Sequence, residues 1–275
     1  MTEAPKSGGI GFAGAGAGIR SAARVFWTGF VLNFKILSVS PFMVMTAALW
    51  PLVYATLAFL MFRATHHAPS LLYAALGAAV MGIWSTTATS AGGAIQQQRW
   101  WGVLELLVAA PSRLILVLAP VTVAIAGIGV YSIASTLLWG RLLFGVPIHI
   151  SHPALFAIAI PAAVLAIGML GLVLASSLVL YRSASAFSQA LEYPIWLITG
   201  MLIPLSLLPR WIDPVAWALA PTWGMRAVRR AAIGGDVGTP LLVCAALTVA
   251  YAGLSMLLLH HFERLARERA TLSLT

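Results

Sequence analysis

Few residues in this 275-residue chain could carry acid–base, metal or phosphate chemistry: it holds seven Asp or Glu and six His. His66 and His67 are neighbours, so on a helix they point roughly 100° apart, and no third ligand stands near them. A solvated loop accounts for them better than a metal. His149 and His152 lack the acidic companions that general acid and base work needs. A phosphate loop requires Gly-Lys followed by Ser or Thr, and the only lysines are Lys6 after Pro5 and Lys35 after Phe34. Gly9, Gly11 and Gly14 fit G-x-G-x-x-G, but no strand precedes them and no βαβ pattern follows. The single Cys244 rules out an intramolecular disulfide or a cysteine metal cluster. No catalytic residue, metal site or cofactor is therefore expected on this chain.

Three polar groups remain to be explained. Glu192 is the one acid near the body of an apolar run, where a central carboxylate costs about 2.5–3.5 kcal/mol. It lies about one turn from the start of that run, and its readings are a salt bridge or cap near the surface, a gate with Arg182, an interface between protomers, or a substrate contact. A proton relay would need a second buried acid. Arg226, Arg229 and Arg230 share much of one helical face downstream of Trp211, and suit phosphate headgroups or the anionic head of a substrate. The third group is Ile95 to Arg113, which carries Gln96, Arg99, Trp100, Trp101, Leu104 and Glu105 and ends on Pro111 and Ser112. A helix of about 14 residues there would be only ~20 Å long, which suits an element lying along a membrane surface.

The elements that must position these groups follow from composition. With 61% hydrophobic and 8% charged residues and a mean hydropathy of +0.96, the chain reads as an all-α integral membrane protein. Its net charge of +9 comes from basic residues between apolar runs, where they act on topology and headgroups, so nucleic acid is not an expected partner. Residues 1–18 read as a flexible, Gly/Ala-rich tail, with no short apolar core and cleavage site of a signal peptide. Ile19 to Ile36 reads as an interfacial amphipathic helix: Arg20, Arg24, Thr28 and Lys35 on one face, Val25, Phe26, Phe30, Leu32 and Ile36 on the other.

Six spans follow, at about 41–62, 71–94, 114–139, 153–180, 187–208 and 240–259, within a membrane domain of 19–262 and before a polar tail of 263–275. Between the last two spans, Asp213-Pro214 starts one short helix that Pro221 ends, and Thr222 starts a second that Gly234-Gly235 stops. With both termini cytoplasmic, ten of the 16 Lys and Arg lie inside, the direction of the positive-inside rule.

Two stretches carry a family resemblance. Gly102, the Leu104-Glu105-Leu106-Leu107 run and Ala110-Pro111-Ser112 resemble the cytoplasmic coupling segment of the type-2 ATP-binding-cassette (ABC) permeases, the membrane subunits of exporters. Trp196 to Trp211 with Gly200, Pro204 and Pro209, continuing through Ala220-Pro221-Thr222 to Arg226, is similar to that family's glycine, paired prolines and arginine-bearing external hairpin. The resemblance implies a coupling helix seated in the groove of a separate ATPase, with Arg99 and Glu105 in polar contact and Trp100, Trp101 and Leu104 filling that groove.

It also implies two ATPase subunits carrying ATP and Mg, a second permease chain as homodimer or heterodimer, surrounding membrane lipid, and residence in the plasma (inner) membrane. The apolar 36–62 region resembles that of the drug and lipid exporters more than that of the polysaccharide exporters, which implies a hydrophobic or amphipathic cargo such as a drug, antibiotic or lipid, with a polysaccharide or glycolipid as the alternative. One departure stands out: Gln96-Gln97-Gln98-Arg99 occupies the place where family members commonly carry acidic residues. An ATP-independent secondary transporter would need matching halves with broken helices or ionisable pairs, which the two halves lack. A membrane-embedded enzyme would need clustered His, Asp or Glu.

Overall fold

A computed structural model describes residues 13–63, 69–100, 115–178, 184–202 and 204–269. Among these residues every regular element is helical: α1 (Ala13–Val39), α2 (Pro41–Arg63), α3 (Pro69–Trp100), α4 (Ile115–Ile128), α5 (Val130–Phe144), α6 (Pro153–Leu178), α7 (Ala184–Ala190), α8 (Glu192–Ile198), α9 (Asp213–Ala218), α10 (Ala220–Ile233) and α11 (Gly238–Arg269), with 3-10 turns at Leu205–Leu207 and Arg210–Ile212. Five stretches are long and apolar enough to cross a membrane: Pro41–Leu60, Leu71–Thr89, Ile115–Phe144, Pro153–Ser177 and Gly238–Phe262. The protein is thus an all-α, membrane-embedded chain.

Side-chain pairs fix the directions of these helices. Gly82 meets Pro51, while Ala74, Ala75 and Ala78 share a cluster with Ala55 and Phe59, so α2 and α3 run antiparallel. Ser132 donates its hydroxyl to the Ala79 carbonyl (2.6 Å) and Trp139 Nε1 donates to Thr56 Oγ1 (3.0 Å), pinning α5 to both. At one end of α6, Ala162 accepts from the Cys244 thiol; at the other, Leu172 and Ala175 pack on Leu259 and Phe262. Helices α6 and α11 therefore run the same way. The backbone of Ser151 and His152, just before α6, donates to the carbonyls of Ala232 and Ala231 at the end of α10. Between Leu178 and Ala231 the chain must then return along the length of α6.

Several polar residues inside apolar helices are satisfied locally. Thr87, Thr122, Ser176 and Thr248 each return a hydroxyl to a carbonyl four residues earlier. Pro51, Pro120 and Pro161 sit inside helices that continue past them, as packed neighbours in a membrane protein allow.

Several sequence expectations need correction. Helix α3 continues unbroken through Ile95, Gln96 and Arg99 to Trp100, because no Gly or Pro lies between Gly93 and Trp100 and Gln and Arg are good helix formers. The first third of the expected surface helix is therefore an extension of the second apolar helix, and residues 101–114 lie outside the described residues. The third apolar element does not stop at residue 139 but bends at Gly129 and runs to Phe144, carrying an exposed Arg141 past the end of the expected span. The fifth expected span, 187–208, is not one helix: it breaks after Ile198. Helix α1 begins at Ala13, inside the expected tail, and its apolar face divides. Phe26 packs against the cluster that holds Leu118 and Leu172, whereas Val25, Leu32 and Ile36 are more than half exposed.

Helix crossing at Gly82 gives a direct test. A Cβ there would overlap Pro51 and come within 2.8 Å of Ser132 Cβ, whereas a Cβ at Gly253 of α11 meets nothing within 4 Å. Gly82→Ala is expected to destabilise by about 1–3 kcal/mol, as overpacked cores do, and Gly253→Ala to stabilise by about 0.5–1 kcal/mol through helix propensity. Thermal unfolding of both variants in one detergent checks the opposite signs.

Candidate functional site

Helix α8 ends at Ile198, and two residues on Gly200 has a φ of 75°, in the left-handed region that glycine adopts without strain. The Met201 N–H turns back to the Trp196 carbonyl (3.2 Å), and Pro204 then prevents the helix from resuming. That leaves the carbonyls of Gly200 and Met201 without helical partners in an apolar setting, where unsatisfied backbone groups are costly. Arg229 of α10 supplies the missing donors: Nη1 reaches the Gly200 oxygen at 2.7 Å, Nη2 the Met201 oxygen at 2.9 Å and the Tyr73 oxygen at 3.4 Å. Its guanidinium carbon lies 3.3 Å from the Tyr73 ring centre, and the residue is only 8% exposed. Burial pulls its pKa down to about 10, which leaves it a cation at neutral pH.

The three arginines expected on one face therefore do different work. Arg229 is a buried tie between α10, α3 and the broken segment. Arg226 lies over Trp223 (4.8 Å) and Trp217 (6.0 Å), and Arg230 donates to the Asp236 carbonyl (3.0 Å). Together they line a cavity of about 220 Å³ next to Tyr73 and Thr222. The helical hairpin itself is present, although Asp213 is the first helical residue rather than a cap, and Pro221 stands in the first turn of α10 rather than ending α9. Tyr251 of α11 holds the corner, donating to the Ala218 carbonyl at 2.6 Å and accepting from the Ala220 N–H at 3.2 Å. Trp211 is exposed on its 3-10 turn.

The larger feature is a groove of about 520 Å³ between α1, α2, α3, α4, α7 and α8. Its walls are mostly apolar, with Leu37, Phe42, Pro51, Ile125 and Ile128 beside Thr46, Thr86, Thr89 and Gln189. Glu192 faces this groove, and the Ser85 hydroxyl of α3 donates to its carboxylate. Along the same wall runs a series of rings: Trp50 stacks on Tyr54 (6.3 Å), Tyr54 meets Trp196 edge-on (4.8 Å), and Trp196 meets Tyr193 edge-on (5.1 Å).

Of the expected site residues, Glu192 is therefore placed in a cavity, beside Ser85, Tyr54 and Tyr193, none of which stood out in the sequence. Arg182, the expected partner of Glu192, lies outside the described residues, as do Trp101, Leu104 and Glu105 of the coupling stretch. Gln96, Arg99 and Trp100 lie on the last two turns of α3. Among the described residues no group of three His, Cys, Asp or Glu could hold a metal.

Removing the buried cation has a sharp expected outcome. Arg229→Met strands the carbonyls of Gly200 and Met201 and is expected to cost about 3 kcal/mol, or roughly 5–10 °C in unfolding midpoint. Arg229→Lys should recover less than half of that, since a point charge cannot fork across two carbonyls. An unchanged midpoint in differential scanning of either variant would contradict the tie.

No protein-family model matches the chain and no curated protein matches it, so its function is argued from the site.

Proposed function

We propose that the chain is the membrane-spanning permease subunit of an ATP-driven ABC exporter that moves a hydrophobic or amphipathic compound out of the cytoplasm or inner leaflet. The observation that carries the reading is the hairpin α9–α10, tied by Arg229 to a segment broken at Gly200 and Pro204 and followed by the last long helix. That is the order of elements implied by the resemblance at 196–226. The parallel run of α6 and α11 supports a sixth crossing by α7, α8 and the stretch up to Leu207, made as a broken element. On this reading both termini are cytoplasmic in the plasma membrane, the hairpin is external, and the end of α3 leads into the coupling stretch 95–113.

Two copies, or this chain and a related one, enclose the pathway. Two ATPase subunits hold ATP and Mg and engage Gln96, Arg99, Trp100, Trp101, Leu104 and Glu105. The chain itself does no catalysis. Cargo enters the groove beside Glu192, whose apolar and aromatic walls suit an amphipathic body. A second reading, ATP-independent transport coupled to protons, draws on the same carboxylate, but among the described residues that line the groove no second acid offers a relay.

The experiment is gentle purification of the tagged chain from its native membranes, with mass spectrometry and ATP hydrolysis measured on what co-purifies. An ATPase subunit is expected, and Arg99→Ala with Glu105→Ala is expected to lower its retention and the hydrolysis at least roughly tenfold, while the chain stays in the membrane. A chain that comes out alone and inactive at several detergent strengths overturns the exporter reading and turns attention to proton coupling through Glu192.

A further inference from the structure

Among the described residues that line the groove, Glu192 alone carries a formal charge; no Lys, Arg or His shares the cavity with it. One oxygen accepts from Ser85, and among the described residues no cation forms an ion pair with it. The rest of the described wall is mostly apolar, and its polar members, among them Thr46, Thr86, Thr89 and Gln189, are neutral, so no opposite charge in that wall offsets the carboxylate across the groove.

The rings add a second, independent preference of the same sign. Trp50, Tyr54 and Tyr193 all line the cavity, and the edge-on packing of Tyr54 and Tyr193 around Trp196 fixes their orientation. Aromatic faces carry negative quadrupole density and attract desolvated organic cations, most of all alkylated ones with little hydration to lose. Carboxylate and rings therefore discriminate in one direction. An anion would be repelled by Glu192, a neutral body would gain only apolar contact, and a small hydrated ion would leave the walls unfilled.

We propose that this groove selects organic cations with an apolar body, and that Glu192 is the residue that selects for the charge. The proposal rests on the reading of the groove as the cargo path. Ser85 is a positioning residue: its hydroxyl holds the Glu192 carboxylate toward the cavity from the facing helix α3. In chemical terms the cargo is a lipophilic ammonium, phosphonium or amidinium compound of a few hundred daltons, which a volume of about 520 Å³ admits without a sugar chain.

The test uses the full chain in neutral maltoside micelles, with protein-free micelles subtracted. Radiolabelled tetraphenylphosphonium is the probe, and two competitors share one triphenyl body: methyltriphenylphosphonium, a cation, and triphenylphosphine oxide, which is neutral. Saturable binding is expected, with the cation competing at a concentration at least roughly tenfold lower than the neutral oxide, the ratio that corresponds to about 1.4 kcal/mol. Glu192→Gln, close to isosteric, should weaken tetraphenylphosphonium binding by a similar factor and abolish the difference between competitors, while Glu192→Asp restores part of it.

Equal competition by cation and oxide on the unaltered chain overturns the proposal whether or not any variant folds. So does the absence of saturable binding, as when lipid or detergent fills the groove, or a folded Glu192→Gln variant that binds normally. Failure here leaves an ATPase that co-purifies untouched, and cation binding without any ATPase would retain the site while removing the exporter reading.

Discussion

A guanidinium sealed among three backbone carbonyls and a tyrosine ring is the constraint on which this structure depends. The apolar run after Phe187 has the hydropathy of a membrane helix but cannot remain one, because Gly200, Pro204 and Pro209 interrupt it within ten residues. A broken helix in a nonpolar setting survives only if its freed carbonyls find donors, and Arg229 delivers them from 28 and 29 residues further along the chain. The hairpin α9–α10 exists in its observed position because it must bring that side chain back. Tyr251 at the corner and the hydrogen bonds from Ser151 and His152 to the end of α10 then fasten the hairpin to the last helix and to the start of α6.

Much of this was legible from residue type alone. Charge-free runs located the helices that became α2, α6 and α11, and the Asp213-Pro214 and Gly234-Gly235 signals located the hairpin, because these depend on local backbone preference. What escaped was set by partners distant in sequence. Arg229 looks like its neighbours Arg226 and Arg230 on a helical wheel, and only the packing of α3 against the broken segment separates one buried cation from two others. The end of α3 escaped because a change in polarity at Gln96 was read as a change of element, whereas helix geometry is indifferent to polarity so long as no glycine or proline intervenes. The groove escaped because its wall is assembled from single residues of six helices, each unremarkable within its own period.

The two cavities also differ in electrical character. Arg226, Arg229 and Arg230 border the smaller one, next to Tyr73 near the start of α3, and Glu192 marks the larger one beside Ser85, twelve residues on. At 1.5 Å per residue the marker residues Tyr73 and Ser85 are separated by ~18 Å along one helix, about two Debye lengths in saline but an unscreened interval in an apolar medium. A single helix thus carries a basic end and an acidic flank, both made by side chains from the broken element and its hairpin rather than by its own residues.

Because α3 is continuous from Pro69 to Trp100, it is also a stiff rod that protrudes past its own apolar portion. The 14 residues between Ser85 and Arg99 measure ~21 Å. Tilting such a rod by about 5° about the close crossing at Gly82 sweeps its polar end through about 2 Å while the residues near Ser85 barely travel. In such a tilt the protrusion would act as a lever with its fulcrum next to the groove, turning a large displacement at Arg99 into a small one near the hydrogen bond to Glu192.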